Sequence, residues 1–193
     1  MATLIKRVPE YALKTPNPRF NVRKATESAA RIATAFGRKV GLARLLELMF
    51  VVDRRLIVGD GRGLTDDDYA SAPNEGVIPI QLGILSTAQN QLSSPWHKQL
   101  ELRGDYVYLI DAVEASALSE LEVETIDAVL RDYMGLEWDD LVQKVFEEAP
   151  EARSDKHKVF TLQDILVELG ESEEDALASF REFDSWRTVK YGG

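Results

Sequence analysis

The stretch LARLLELMFVVDRRLI, residues 42–57, decides the fold. It carries apolar side chains at most positions up to Val52, so a helix built from it is apolar almost all round. Such a helix is typical of the centre of a domain, where it packs on several sides. Arg44, Glu47 and Asp53 interrupt the run, which is far shorter than the ~20 apolar residues of a membrane span. We therefore predict one buried central helix.

Helix signals lie on both sides of this stretch. Asn21 is placed to cap a first helix that reaches Phe36. Ser119, with Glu122 three residues later, forms the capping-box pattern ahead of another helix. Further helices are indicated by capping residues at their starts and by Gly or Pro at their ends. After the central helix we predict helices at residues 80–88, 119–134, 138–148, 161–169 and 172–186.

Strand signals are few. The segments 99–102 and 106–110 alternate apolar and polar residues around Arg103-Gly104-Asp105, which predicts a β-hairpin. Residues 64–74 are polar and are predicted to be a loop. The expected fold class is mainly α: a compact helical domain around one buried central helix, with a small β-hairpin insertion.

The length of 193 residues suits one domain with a core of its own. Prolines at positions 9, 16 and 18 interrupt any helix near the start, which predicts an N-terminal arm at residues 1–19. A single helical domain is expected at 20–187 and a C-terminal tail at 188–193. The first residues lack the long apolar core of a secretory signal, so we expect a cytoplasmic protein without membrane attachment.

The residue inventory offers little for catalysis. The chain has no cysteine, which excludes thiol nucleophiles and thiolate zinc sites, and it has two histidines, His97 and His157, each beside lysine. We expect both histidines at the surface. No serine lies in a Gly-x-Ser-x-Gly setting. The tyrosines of the hairpin, Tyr106 and Tyr108, are expected to pack rather than to stack on nucleic-acid bases. We predict no enzyme and no cofactor.

Charge is distributed unevenly along the chain. Residues 1–55 hold twelve Lys or Arg against four acids, a net of +8, so the rest must carry −18 of the total of −10. The acidic charge of residues 56–193 argues against binding to a nucleic-acid backbone and favours binding to a basic partner protein. The alternative is that the acidic and basic surfaces are only in contact with solvent. A nucleic-acid-binding regulator stays open as an alternative. Its contacts would be Arg23, Lys24, Arg31, Arg38 and Lys39.

An ordered series of motifs resembles the Panacea (SocA-like) antitoxin domain of bacterial and phage toxin–antitoxin systems. The resemblance covers about residues 20 to 185, and none of its motifs decides it alone. It departs from the family pattern at Val77, Gly83 and Val145-Phe146. The matching stretches are Phe20-Asn21-Val22, the helix at 45–54, the loop at 63–70, Gly76-Val77-Ile78-Pro79, the hairpin, Leu118-Ser119-Glu120, Trp138-Asp139-Asp140-Leu141 and the helix at 162–169.

The resemblance implies an antitoxin that binds and neutralises a cognate protein toxin by direct contact. It also leaves open a proteolytic adaptor that delivers a toxin to a protease, with residues 1–20 as the tether. We expect the partner to contact Asp66, Asp67, Asp68, Tyr69 and Gly76, because this stretch looks too polar to be core. The alternative is that the loop braces the central helix. Asp66 to Asp68 lack the spacing of a calcium loop, so no metal is expected there.

Overall fold

The computed structural model describes residues 17, 19–73, 75–88, 94–111 and 117–178. Within them the chain is mainly helical with two small antiparallel sheets, which confirms the predicted class at that level. Most of the predicted arm at 1–19, the end of the last predicted helix and the predicted tail at 188–193 lie outside the described residues.

The elements alternate between helices and short strands. The helices are α1 (Val22–Ala35), α2 (Leu42–Asp60), α3 (Ile80–Thr87), α4 (Pro95–Gln99), α5 (Glu120–Tyr133), α6 (Trp138–Glu148) and α7 (Leu162–Glu168), with a 3-10 turn at Pro150–Ala152. Residues 173–178 are helical as well. The strands are β1 (Lys39–Gly41), β2 (Tyr69–Ala72), β3 (Gly76–Pro79), β4 (Leu100–Arg103), β5 (Tyr106–Leu109) and β6 (Lys158–Phe160).

Helix α2 is buried along most of its length. It contacts α1, α5, α6, α7, β1 and β3, so its apolar side chains meet neighbours all round. The helix begins directly after Gly41 and extends to Asp60, beyond the expected end near Ile57. It ends there because Gly61 adopts a left-handed φ of 68° and donates its N–H to the carbonyl of Ile57. No helix in the described ranges combines the length and apolar character that crossing a membrane requires.

Two three-stranded sheets flank the helices, in the orders β1-β5-β4 and β3-β2-β6. Strands β4 and β5 form a hairpin whose turn contains Gly104, with Arg103 opposite Tyr106. In the second sheet Ala72 lies opposite Gly76, and Tyr69 lies opposite Phe160. The prediction of a continuous loop at 64–74 is therefore wrong, because Tyr69–Ala72 is the central strand of a sheet.

The helix starts follow local capping signals. The side chain of Asn21 accepts a hydrogen bond from the N–H of Lys24, and Ser119 and Glu122 bond each other's backbone as a capping box. The same reciprocal arrangement joins Thr161 to Asp164 at the start of α7. These caps confirm the predicted starts. Helix α6 has the predicted bounds, Trp138–Glu148.

Ion pairs connect the basic first third of the chain to the acidic helices. The Arg31 guanidinium makes two bonds to Asp127, at 2.8 and 2.6 Å, and Arg54 makes two to the buried Glu151. The other pairs are Lys24 with Glu122, and Arg55 with both Glu148 and Asp132. Part of the basic charge in the first third of the chain is therefore neutralised by acidic residues of the later part.

Candidate functional site

The stretch that was expected to face a partner is largely internal. Asp67 is 2% exposed, Tyr69 is 1% exposed and Gly76 is buried, whereas Asp66 and Asp68 are half-buried. The expectation that polarity keeps this stretch out of the core is wrong for the three buried residues. The reason is that each of them has an internal partner.

Asp67 caps helix α3. Its carboxylate accepts hydrogen bonds from the backbone N–H groups of Gln81 and Leu82, both at 2.9 Å, and from that of Asp68 at 2.8 Å. The first N–H groups of a helix lack intrahelical acceptors and carry partial positive charge, so a carboxylate is stabilised there. Burial nevertheless raises the pKa of Asp67 well above its usual range, against the opposing effect of these bonds.

Asp53 of helix α2 holds the segment that leads into this stretch. One carboxylate oxygen accepts from the N–H of Leu64 at 2.5 Å and from that of Thr65 at 2.9 Å, and the other accepts from the Thr65 hydroxyl. Burial raises the pKa of Asp53 to about 6, although the Thr65 and Leu64 bonds lower it. The arrangement fixes the loop against the central helix.

Glu47 makes the corresponding contact less than two turns earlier on α2. Its Oε2 accepts from the N–H of Val77 at 2.6 Å. Gly76 has φ of +91°, and a Cβ at that position would lie 2.4 Å from the same oxygen. Burial raises the pKa of Glu47 well above its usual range. Only a glycine allows the hairpin to approach α2 so closely.

An aromatic cluster completes the attachment of the β2–β3 hairpin. The rings of Phe50 and Tyr69 lie 5.1 Å apart in an edge-to-face arrangement, and the Phe160 ring lies 5.5 Å from that of Tyr69. Such pairs add stability beyond the burial of their area. The alternative interpretation of this segment, that it braces the central helix, therefore describes the contacts of Tyr69 and Gly76, whereas Asp67 caps helix α3.

The turn of the same hairpin reaches the surface beside a cleft. Pro73 lies at that turn and is exposed. The cleft has a volume of about 660 Å³. It is bounded by the hairpin turn, by one face of α6 and by the segment after the 3-10 turn, and its lining residues are Pro73, Asp139, Val142, Gln143, Phe146, Arg153, Ser154 and Asp155.

The sequence contained a signal for this cleft that the prediction did not use. Asp139, Val142, Gln143 and Phe146 occur at i, i+3, i+4 and i+7, so they share one face of α6. The sequence analysis predicted a helix at 138–148 but assigned no role to this face. Val142 is indeed buried, but Asp139 and Gln143 are exposed and Phe146 is half-buried, so the stripe runs from the core to the surface.

The exposed surface contributed by residues 117–178, which include most of the cleft lining, is acidic. Among the described residues of 117–178, fourteen acidic side chains are exposed against three basic ones, Arg131, Arg153 and Lys156. Of the basic residues in the first third of the chain, Lys24, Arg31 and Arg55 are bonded to acids of α5 and α6. The exposed charge on this half of the molecule is therefore strongly negative.

The histidine and tyrosine expectations require correction. His157 is exposed as expected, but His97 is half-buried, with Nε2 2.7 Å from the carbonyl of Ala88 and Nδ1 2.8 Å from the hydroxyl of Ser94. Ser94 is also the N-cap residue of helix α4, so the contact between His97 and Ser94 lies at the start of that helix. Tyr106 is 46% exposed rather than packed, and the Lys39 ammonium lies 4.0 Å from its ring centre.

Within the described ranges, no three His, Asp or Glu side chains are grouped so that they would hold a metal ion. Comparison of the chain with protein-family models, with curated proteins and with solved structures finds no match.

Proposed function

We propose that the protein acts by binding another protein, as an antitoxin that neutralises a cognate toxin by direct contact in the cytoplasm. The observation that carries the proposal is the acidic surface of residues 117–178, where the described residues include fourteen exposed acidic side chains and three exposed basic ones. Toxins that act on RNA or on the translation machinery need basic surface for their targets, and an acidic partner is complementary to such a surface. The sequence resemblance to the Panacea family supplies the antitoxin role. Binding of this kind needs neither a cofactor nor a catalytic centre.

The nucleic-acid-binding alternative has less support. Of its five proposed contacts, Lys24 and Arg31 are bonded to Glu122 and Asp127. The guanidinium of Arg38 donates to the carbonyl of Leu109 at 3.1 Å. Contacts to phosphate would have to replace these bonds, and the acidic surface would oppose them. The adaptor alternative rests on residues 1–20, most of which lie outside the described residues.

The experiment is co-expression of the protein with the product of the adjacent gene, followed by affinity purification at two salt concentrations. We expect a stoichiometric complex at 50 mM salt that is weakened at 500 mM, because exposed charges are screened at high ionic strength. A control incubates the purified protein with a single-stranded oligonucleotide at low salt. Salt-sensitive retention of the oligonucleotide, with no protein complex, would favour the nucleic-acid alternative over the proposal.

A further inference from the structure

The cleft beside the β2–β3 hairpin combines an apolar floor with charged walls. Val142 and Phe146 form the floor, and Phe146 packs against the core from its half-buried position. Asp139 lies on α6, and Arg153 and Asp155 lie on the segment after the 3-10 turn; these charged residues are called the walls below. An apolar floor with a polar rim is the usual anatomy of a binding surface between proteins.

The charged side chains that line the cleft differ from the ion-paired cations of the first third of the chain. Lys24, Arg31, Arg54 and Arg55 are each bonded to an acid. By contrast, the side chains of Asp139, Arg153 and Asp155 make no ion pair or hydrogen bond with any part of the chain that the structure describes. The acids of the cleft are therefore available to an incoming cation without breaking an existing pair.

We propose that this cleft is the docking site for a segment of the partner protein that carries an apolar side chain flanked by Arg or Lys. This inference rests on the proposed function. The apolar side chain contacts Val142 and Phe146, and the cations lie against Asp139 and Asp155. Buried apolar anchors give most of the affinity of such contacts, while charges at the rim steer association and select the partner.

The composition of the walls favours a protein segment over other occupants. Two carboxylates repel a phosphate backbone, which excludes the nucleic acids that a basic surface would bind. Arg153 lies two residues from Asp155, so a segment made of cations alone would meet one like charge. A segment with both apolar and basic residues can contact the apolar side chains of the floor and also pair with the two acids.

The test compares two double variants with the same change of net charge. Asp139→Lys/Asp155→Lys reverses the walls of the cleft, and Glu168→Lys/Glu171→Lys reverses two exposed acids that do not line it. Dissociation constants for the purified product of the adjacent gene are measured by calorimetry at 100 mM salt. We expect the cleft variant to weaken binding about 100-fold and the control by less than about tenfold. Gln143→Trp, which fills the cleft without changing charge, is expected to weaken binding as well.

Each outcome separates the two proposals. If the wild-type protein binds and all three variants bind equally well, the cleft inference is overturned and the proposed function stands. If the wild-type protein itself does not bind, the proposed function fails and the cleft inference fails with it. If light scattering shows that the protein alone is a dimer that Asp139→Lys/Asp155→Lys dissociates, the occupant is a second copy and the inference is wrong. Urea denaturation of every variant checks that the fold is retained.

Discussion

Substitution of Gly76 by alanine probes how the β2–β3 hairpin is attached to helix α2. The backbone of Gly76 has φ of +91°, a region that L side chains rarely adopt. A Cβ there would lie 2.4 Å from Glu47 Oε2. That oxygen is the acceptor for the N–H of Val77, so any movement of the Glu47 carboxyl breaks a buried hydrogen bond.

The expected cost follows from these two contributions. A left-handed backbone costs an L residue about 1–2 kcal/mol. Loss of the hydrogen bond leaves a buried N–H without an acceptor, which costs about 1–3 kcal/mol. We therefore expect Gly76→Ala to reduce the free energy of unfolding by about 2–5 kcal/mol, out of a typical total of about 5–15 kcal/mol.

The assay is urea denaturation followed by circular dichroism at 222 nm. With an m value of roughly 2 kcal/mol/M, the midpoint should fall by about 1–2.5 M. Gly59→Ala is the matched control, because Gly59 lies in α2 with nothing within 4 Å of an added Cβ, and it should stabilise the helix by about 0.5–1 kcal/mol. In a Glu47→Ala background, Gly76→Ala should cost only the backbone part. An effect of Gly76→Ala as small as that of Gly59→Ala, or one unchanged by Glu47→Ala, would refute the reasoning.

Further predictions concern the charged groups of the molecule, both buried and exposed. Glu151→Gln should cost roughly 3–5 kcal/mol, because it leaves the buried Arg54 without its anion. Arg31→Ala should cost less than about 1 kcal/mol, because its pair with Asp127 is about 40% exposed on each side; equal costs in urea denaturation would contradict this account. The Asp53 carboxyl should titrate at a pKa of about 6 by carbon-13 NMR. Because the unfolded chain releases this proton near pH 4, stability should fall from about pH 4 to 6 and change little above, and Asp53→Asn should remove that part of the slope. If the Asp53 carboxyl titrates near pH 4 instead, its burial does not raise its pKa and this prediction is wrong.

The sequence predicted those parts of the fold whose signals are local. Capping residues lie within three positions of each other, as in Ser119 with Glu122, so the starts of α1, α5 and α7 could be assigned from short windows. The β4–β5 hairpin carries its own turn at Gly104. In each case the partner residues are close in sequence.

The sequence did not reveal the local β2–β3 hairpin, and two of the other missed strands have distant partners. Strand β1 pairs with β5 at Lys39 opposite Tyr108, and β6 pairs with β2 at Phe160 opposite Tyr69. Segments of three or four residues show no alternation that could be told from a loop. Their pairing is set by tertiary contacts, which a single sequence does not display.

The exposure of the expected contact residues was mispredicted for a physical reason. Charge in the sequence was interpreted as exposure, but the N-terminus of α3 offers backbone donors that hold Asp67 inside. The β2–β3 turn, which brings Pro73 beside α6, depends on the same tertiary contacts. The structure thus corrects the exposure expected of Asp67, Tyr69 and Gly76, while the residues that contact a partner stay a prediction.

A growth assay addresses the proposed function itself. The product of the adjacent gene is expressed alone, with this protein, and with its Asp139→Lys/Asp155→Lys variant. We predict that the neighbour alone stops growth, that the wild-type protein restores it and that the variant restores it less well at equal expression. Growth that is normal with the neighbour alone, or arrest that the wild-type protein does not relieve although both proteins accumulate, would contradict the antitoxin proposal.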